Sequence, residues 1–291
     1  MNVGASLVMA TLGRVTEIDR CVDSLVAQTR RDFELIVVDQ NPDDRLVPVV
    51  ARARALGLDC HHLRQAEPNL CKARNAGIER AKYEVVAFPD DDCWYEPDVI
   101  ERVLSRFEQQ PALDGMVICW EETGPAKAGL VRYGEFAQFR GPTASSITLF
   151  FRISKIREVG GFDLALGLHS WYGSAEETDL MLSLLENGAH IEVVPEVLVH
   201  HALATPSSQP PAQMFSRTRG RARGTGALYA RHPLPAWVIA RGLLAPWAGM
   251  FAQIGRASAL AQKLGLAVGR LEGFLGWHLG RSPHKHKRLW Q

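Results

Sequence analysis

Short apolar runs alternate with segments of helical periodicity through the first half of the chain, and this alternation constrains the fold most strongly. The apolar runs at 6–10, 34–38 and 84–88 are typical of buried strands. Apolar residues recur at helical spacing between them, and Pro97 suits the first turn of a further helix. Strands that alternate with helices pair in parallel, with helices on both faces. The sequence therefore predicts a three-layer α/β/α fold around a mostly parallel sheet.

The charged residues divide the chain into two parts, although its formal net charge is only +1. Residues 215–291 contain ten arginines, three lysines and one acid, so they carry +12 and the first 214 residues carry −11. A proline- and serine-rich stretch precedes this change of sign. We therefore expect an acidic domain over 1–210 and a basic helical extension over 211–291.

Simple counts exclude several classes of protein. Five cysteines, with no Cys-x-x-Cys pair, argue against a disulfide framework or a zinc ribbon and favour a reducing compartment. The first ten residues lack the features of a signal peptide, and no uncharged apolar stretch reaches about 18 residues. No glycine-rich loop of the kind found in dinucleotide-dependent oxidoreductases or nucleotidyltransferases follows the first predicted strand. We therefore expect a cytoplasmic protein of another class.

Polar clusters follow the predicted strands at the ends where a parallel sheet binds its ligands. Thr11 and Arg14 follow the first strand, Asp39 closes the second, and an Asp-Asp-Asp run at 90–92 follows the run at 84–88. We expect these groups to meet in one crevice.

The acidic run Asp90-Asp91-Asp92 carries the most chemical information. Three adjacent carboxylates repel one another unless a cation lies among them, and oxygen ligands suit Mg²⁺ or Mn²⁺ together with substrate phosphates. The alternative is a solvated acidic turn that caps the helix after Pro97. The local sequence leaves both interpretations open.

Asp39 and Arg74 also have two interpretations each. Asp39 suits a hydrogen bond from a ribose hydroxyl, or it forms the turn of a proline-containing loop. Arg74, on a predicted helix, suits the neutralisation of a diphosphate, or it belongs to a basic surface face.

Two later segments carry further candidates. Glu176 and Glu177 open a predicted helix, where a carboxylate that faces a crevice suits a general base. Ser174 and Glu177 also have the spacing of a capping box, in which both side chains bond backbone N–H groups. His200 and His201 either complete a metal shell or form an ordinary loop pair.

The order and spacing of these residues resemble the family 2 glycosyltransferases, which have the GT-A fold. The resemblance covers about residues 6–201, with a weaker echo to about residue 228. Its motifs are Ala10-Thr11-Leu12-Gly13-Arg14, Phe33-Glu34-Leu35-Ile36-Val37-Val38-Asp39, Asn69-Leu70-Cys71-Lys72-Ala73-Arg74-Asn75-Ala76-Gly77-Ile78, Phe88-Pro89-Asp90-Asp91-Asp92, Gly160-Gly161-Phe162-Asp163 and Glu176-Glu177-Thr178-Asp179-Leu180. Two departures are Gly13, where the family has Asn, and Glu177, where the proposed base is usually Asp.

The resemblance implies an inverting transfer of a sugar from a nucleoside diphosphate sugar to an acceptor hydroxyl, with a bound Mn²⁺ or Mg²⁺ ion. It implies a donor half at about 1–110, an acceptor half at about 111–210, and Glu177 as the catalytic base. The implied donor-binding residues are Thr11, Arg14, Asp39, Arg74, Asp90 and Asp91. The implied metal ligands are Asp92, Asp90 and His200, or His201 in its place. The implied acceptor-binding residues are Glu176, Trp171, Tyr172 and His169. The alternative is a non-catalytic module of this fold that binds nucleotide sugars or glycans.

The basic extension combines arginines with aromatic and apolar residues on predicted amphipathic helices. From Leu264 the apolar residues recur at 267, 268, 271, 274 and 275, which is one helical stripe. This pattern favours an anionic membrane surface as the partner of 215–291, and not nucleic acid, for which no recognition motif is present. The alternatives are packing on the catalytic domain or on a second subunit. A glycosyltransferase bound to the cytoplasmic face of the membrane would act on a lipid-linked or cell-envelope glycan.

Overall fold

Nine strands and ten α-helices make up the parts of the chain that the computed structural model describes, residues 3–121, 127–140, 142–202, 209–253 and 255–281. The strands are β1 (Ala5–Thr11), β2 (Phe33–Asp39), β3 (Cys60–Arg64), β4 (Val85–Ala87), β5 (Cys93–Tyr95), β6 (Gly115–Trp120), β7 (Gly129–Leu130), β8 (Leu149–Arg152) and β9 (Ile191–His201). The helices are α1 (Thr16–Val26), α2 (Val47–Ala55), α3 (Leu70–Arg80), α4 (Val99–Gln109), α5 (Tyr133–Phe136), α6 (Ile153–Glu158), α7 (Glu176–Glu186), α8 (Pro211–Arg231), α9 (Ala236–Ala248) and α10 (Ala257–His278).

The strands form one mixed sheet in the order β3-β2-β1-β4-β8-β6-β9-β5, with β7 paired to β9. Strands β1 to β4 pair in parallel, as the sequence predicts, and the apolar runs of β1, β2 and β4 are buried. Strand β8 is antiparallel to both β4 and β6. The carboxyl ends of β1, β2 and β4 therefore reach the same edge, where the polar clusters begin.

Strand β9 is long and runs from Ile191 to His201. Pro195 lies within it and has no N–H to donate, and the register with β6 shifts between Ile118 and Cys119. Past the shift, β9 pairs antiparallel with β5, which places His201 opposite Cys93. Because Cys93 follows the acidic run directly, this pairing brings His201 to the carboxylates.

The C-terminal helices α8 and α10 pack closely through glycines. Gly265, Gly269 and Gly273 recur at every fourth residue of α10 and meet the backbone of α8, so that a Cβ on Gly273 would lie 2.0 Å from the carbonyl oxygen of Arg223. Small residues at this spacing let two helices approach until their backbones touch. The face of α10 that packs is therefore its glycine face, and not the predicted apolar stripe.

The large apolar residues of that stripe are mostly outside the interface. Leu264, Leu271 and Leu275 are 37%, 42% and 48% exposed, although Ala267 is buried. The one acid of the extension, Glu272, forms ion pairs with Arg219 and Arg223 of α8. The two helices thus hold each other by small-residue packing and ion pairs, and leave leucines at the surface.

Candidate active site

A cleft of about 680 Å³ opens at the carboxyl edge of the sheet. Its walls contain charged side chains from the loop after β1, from α3, the β4–β5 connection, α7, β9 and α8, so it gathers most of the predicted site residues. These lining residues include Arg14, Arg74, Asp90, Asp91, Asp92, His169, Glu176, Glu177, His201 and Arg221.

The first wall is the acidic run, which the loop after β1 fixes in place. Thr11 donates a hydrogen bond from Oγ1 to Oδ2 of Asp91 over 2.6 Å. Arg14 donates from Nη1 to Oδ1 of Asp91 over 2.6 Å and also pairs with Asp92. Helix α4 has Asp98 at its N-cap, so the interpretation of the run as a solvated cap of that helix is wrong.

Asp90, Asp92 and His201 present ligand atoms within 4.8 Å of one another. The buried Oδ1 of Asp92 has no aligned hydrogen-bond donor among the described residues, although Nε2 of His201 lies 2.9 Å away. Contact with this carboxylate raises the pKa of His201. Burial opposes the ionisation of Asp92, but His201 and Arg14 outweigh it and lower the pKa of Asp92. Two carboxylates and an imidazole facing one point fit a divalent cation.

His200 lies apart from this cluster, because successive side chains on a strand point to opposite faces. Its Nε2 is 2.7 Å from Oε1 of Glu96, and its ring stacks on Trp94 with 5.4 Å between centroids. The histidine beside Asp92 is therefore His201, and not the His200 assigned from the sequence.

Arg74 on α3 is buried and links the two walls of the cleft. Its Nη2 lies 3.6 Å from Oδ1 of Asp90, and its Nη1 lies 3.3 Å from Oε1 of Glu177 and 3.4 Å from Oε1 of Glu176. The interpretation of Arg74 as part of a basic surface face is wrong, since its side chain is 3% exposed. A buried guanidinium held by three carboxylates is a fixed positive charge inside the cleft.

The second wall is the start of α7, where Glu176 and Glu177 differ in environment. Ala175 is the N-cap in a left-handed conformation with φ of 80°, and no side chain caps the helix. Ser174 instead donates its hydroxyl to the carbonyl oxygen of Arg221, so the capping-box interpretation is wrong. Burial, with the charge of Glu177, raises the pKa of Glu176 to about 8 despite Arg74. The Glu177 side chain is 19% exposed and reaches the cleft.

Asp39 is fully buried at the end of β2, with its carboxylate satisfied by neighbours. Its Oδ1 accepts hydrogen bonds from the backbone N and from Nδ2 of Asn41, and its Oδ2 lies 2.9 Å from Nε2 of His62. These contacts include the turn that the alternative interpretation expected. The nucleoside-binding role of Asp39 stays a prediction.

The aromatic residues predicted at the acceptor site lie away from the cleft walls. Tyr172 is buried against Trp277 of α10, with ring centroids 5.5 Å apart. Trp171 packs edge-on against Tyr172 and beneath the guanidinium of Arg223. Both rings therefore pack against residues of the extension. His169 lines the cleft, and its acceptor-binding role stays a prediction.

Two residues of the extension, Arg231 and His232, contact aspartates of the late motifs. Neither residue was identified from the sequence. Arg231 pairs with Asp163 and lies 3.0 Å from Asp179, and His232 lies 2.8 Å from the same Asp179 oxygen. His232 also contacts Glu186, and these two carboxylates outweigh burial to raise the pKa of His232. Asp163 and Asp179 belong to the late motifs, and a buried carboxylate needs a partner. This need was the one signal in the sequence that could have pointed to a basic residue of the extension.

The protein-family comparison matches residues 6–154 to glycosyl transferase family 2, which is about half of the chain. The glycosyltransferase EpsH of Bacillus subtilis is 32% identical over 124 residues, which are 41% of this chain and 35% of EpsH. The amylovoran biosynthesis glycosyltransferase AmsE of Erwinia amylovora is 28% identical over 192 residues, 62% of this chain and 69% of AmsE. The chain thus spans about a third of EpsH.

Solved structures show the same fold at low sequence identity. A mannosyltransferase from Pyrobaculum calidifontis, in complex with GDP-Man and Mn²⁺, has a TM-score of 0.66 at 15% identity, over 96% of this chain and 88% of its own. A fragment of Staphylococcus aureus TarS in complex with UDP-GlcNAc has a TM-score of 0.60 at 14% identity, over 96% of this chain and 92% of the fragment. Motifs, fold and family match agree, and the chain belongs to glycosyl transferase family 2, with the GT-A fold.

Proposed function

We propose that this protein transfers a glycosyl group from a nucleoside diphosphate sugar to an acceptor hydroxyl, with inversion at the anomeric carbon. The observation that carries the proposal is the position of Arg74 between Asp90 on one wall and Glu177 on the other. A single displacement places the leaving diphosphate and the attacking hydroxyl on opposite sides of the sugar. The nucleotide sugars bound in the TarS and mannosyltransferase complexes support this choice of donor.

We assign the donor to the wall of the acidic run. The Arg74 guanidinium suits phosphate oxygens, which accept charge-assisted hydrogen bonds from arginine. Thr11 and Arg14 hold Asp91 and so keep the run in one conformation before substrate arrives. Asp39 is our candidate for the nucleoside.

Asp90, Asp92 and His201 would hold a divalent cation, Mn²⁺ or Mg²⁺. When bound, such a cation acts as a Lewis acid on the diphosphate and stabilises the charge that develops on the leaving group. Arg14 keeps the Asp92 carboxylate ionised and ready for this role.

On the opposite wall we assign Glu177 as the base that accepts the proton of the acceptor hydroxyl. It is the more exposed of the two glutamates, and its Oε1 faces Arg74 at 3.3 Å. A carboxylate that reaches the cleft is a chemically competent base for a hydroxyl proton.

A thermal-shift panel of uridine, thymidine and guanosine diphosphates, with and without Mn²⁺, tests the donor site. We expect one nucleotide to stabilise the protein only with metal. A ligand at a hundred times its Kd contributes about 2.7 kcal/mol, or about 5–10 °C in Tm for a chain of this size.

A turnover assay with the nucleotide identified by this panel separates the enzyme from the non-catalytic binding module. With the matching nucleotide sugar, an enzyme releases the nucleoside diphosphate over time, whereas a module binds it unchanged. If no nucleotide raises Tm with or without Mn²⁺, the proposed function is wrong.

We further propose that the acceptor is a lipid-linked or cell-envelope glycan, reached from an anionic membrane surface. Across the described ranges, no helix is both long and apolar enough to cross a bilayer. Trp237, Leu244 and Trp247 are nevertheless exposed on one face of α9, and Phe251 just beyond is 79% exposed. With the leucine face of α10 and the excess of arginine, these residues suit an interfacial surface.

Vesicle sedimentation tests the membrane proposal. Leu244→Glu with Trp247→Glu places two negative charges on the exposed face of α9 without touching the cleft. We expect wild type to sediment with vesicles that contain phosphatidylglycerol at low salt, and the double variant to stay in the supernatant. Leu56→Glu, at a leucine beyond α2 that is 42% exposed, is the control and should sediment as wild type does. Wild type that fails to sediment would contradict the proposal.

A further inference from the structure

We infer that a second pocket, between α7 and the C-terminal helices, binds a phosphate or diphosphate group of the acceptor, with a hydrocarbon chain attached. The inference rests on the proposed function, because it gives that function an acceptor class. The pocket has a volume of about 530 Å³ and shares Ser174 and Glu177 with the donor cleft. A molecule in it therefore reaches the proposed base directly.

Two arginines supply the charge of this pocket. Arg241 of α9 and Arg270 of α10 both line it, and neither guanidinium meets a carboxylate within the part of the chain that the structure describes. Arg241 donates to the carbonyl oxygen of Gln138 at 3.2 Å, and Arg270 to that of Gly242 at 2.7 Å. These neutral contacts leave two positive charges uncompensated, so the pocket suits an anion.

Three arginines of α8 are bound differently. Arg219 and Arg223 pair with Glu272, and Arg231 pairs with Asp163 and Asp179. Among the described residues, carboxylates therefore lie beside these three arginines of α8, and none lies beside Arg241 or Arg270. The Nε of Arg270 is buried and has no acceptor among the described residues either.

Tyr229 of α8 lines the same pocket as the two arginines. Burial raises the pKa of its hydroxyl, and the positive charges of Arg270 and Arg241 oppose that rise. Two positive charges in one pocket match a diphosphate better than a neutral sugar.

The remaining walls suit a hydrocarbon chain. Leu228, Val238 and Ala245 line the pocket, and the one acid on its described wall is Glu177 at the end shared with the cleft. Arg241 lies over the ring of Trp237 at 5.1 Å, on the exposed apolar face of α9. A chain attached to the phosphate would leave the pocket along this face, which is the one we propose to meet lipid.

Calorimetric titration of the full chain with geranyl diphosphate, in EDTA, tests the inference without the metal-dependent donor site. We expect binding that weakens at least tenfold in Arg241→Gln/Arg270→Gln. Geraniol lacks the phosphates and should not bind measurably. Inorganic pyrophosphate should bind more weakly than geranyl diphosphate; equal affinity would support phosphate recognition and contradict the attached chain.

The controls separate this inference from the proposed function. Asp92→Asn should lose the Mn²⁺-dependent nucleotide shift and keep geranyl diphosphate binding, whereas the arginine variant should do the reverse. Arg217→Gln removes an exposed arginine of α8 that does not line the pocket and should change neither. If the double variant does not fold, the single variant Arg241→Gln is measured in its place, because Arg241 is exposed and its replacement should not disturb folding. Binding that survives the arginine changes in a folded variant would overturn the inference.

Discussion

Glu177→Gln is expected to lower the rate of nucleoside diphosphate release by about 10²–10⁴-fold, with donor binding nearly unchanged. A positioned general base contributes a factor of this size, and glutamine keeps the shape of the side chain without accepting a proton. Water is an acceptor that every assay contains, so donor hydrolysis measures the effect before the natural acceptor is identified. The nucleotide thermal shift checks that the donor still binds.

Glu176→Gln is the matched control for this prediction. The pKa of Glu176 is raised to about 8, so at pH 7 the side chain is mostly the neutral acid, which glutamine imitates. Its Oε1 contact with Arg74 at 3.4 Å can also persist. We expect less than about a tenfold loss of rate at pH 7 for this variant. A large loss in Glu176→Gln together with an active Glu177→Gln would move the base to Glu176.

The meeting of Thr11 with the acidic run was predictable because it follows from strand periodicity alone. Once 6–10 and 84–88 are interpreted as parallel neighbours, their carboxyl ends must share an edge, and Thr11 and Asp91 do meet there. The burial of Arg74 was not predictable from its own helix. It depends on α7, which lies about a hundred residues later and supplies two carboxylates.

The choice between His200 and His201 required a register that the sequence does not contain. A shift of one residue exchanges the faces of a strand, and Pro195 lies in this one. The three-residue strand β5 was not predicted, so nothing could align the histidines with the acidic run. Similarly, the spacing of Ser174 and Glu177 fits a cap only if Ser174 is the N-cap, and Ala175 occupies that position.

In the extension, residue size mattered more than apolarity. The stripe from Leu264 follows the helical period, but Gly265, Gly269 and Gly273 select the face that packs, because only glycine admits the backbone of α8. The extension also packs on the catalytic domain through Arg231 and His232, as one alternative expected. These contacts do not bury the leucines of the stripe, and they do not involve Arg241 and Arg270 at the second pocket.

Asp92→Asn is expected to lower kcat/KM for donor turnover by about 10³-fold and to abolish the Mn²⁺-dependent nucleotide shift. The loss of several kcal/mol of Lewis-acid stabilisation corresponds to this factor. Asparagine keeps the size of the side chain and removes the charge that Arg14 and His201 hold in its ionised form. Turnover measured across a Mn²⁺ titration distinguishes weaker metal binding from a slower chemical step.

The histidine pair supplies a matched control for the metal site. His201→Gln should raise the Mn²⁺ concentration needed for half-maximal activity by about 10–100-fold, because it removes one ligand atom from the group with Asp90 and Asp92. His200→Gln changes the neighbouring residue on the opposite face of β9, where the contacts include Glu96, Glu121 and Trp94, and should leave that concentration unchanged. Equal effects of the two changes would mean that His201 acts through the strand and not on the cation.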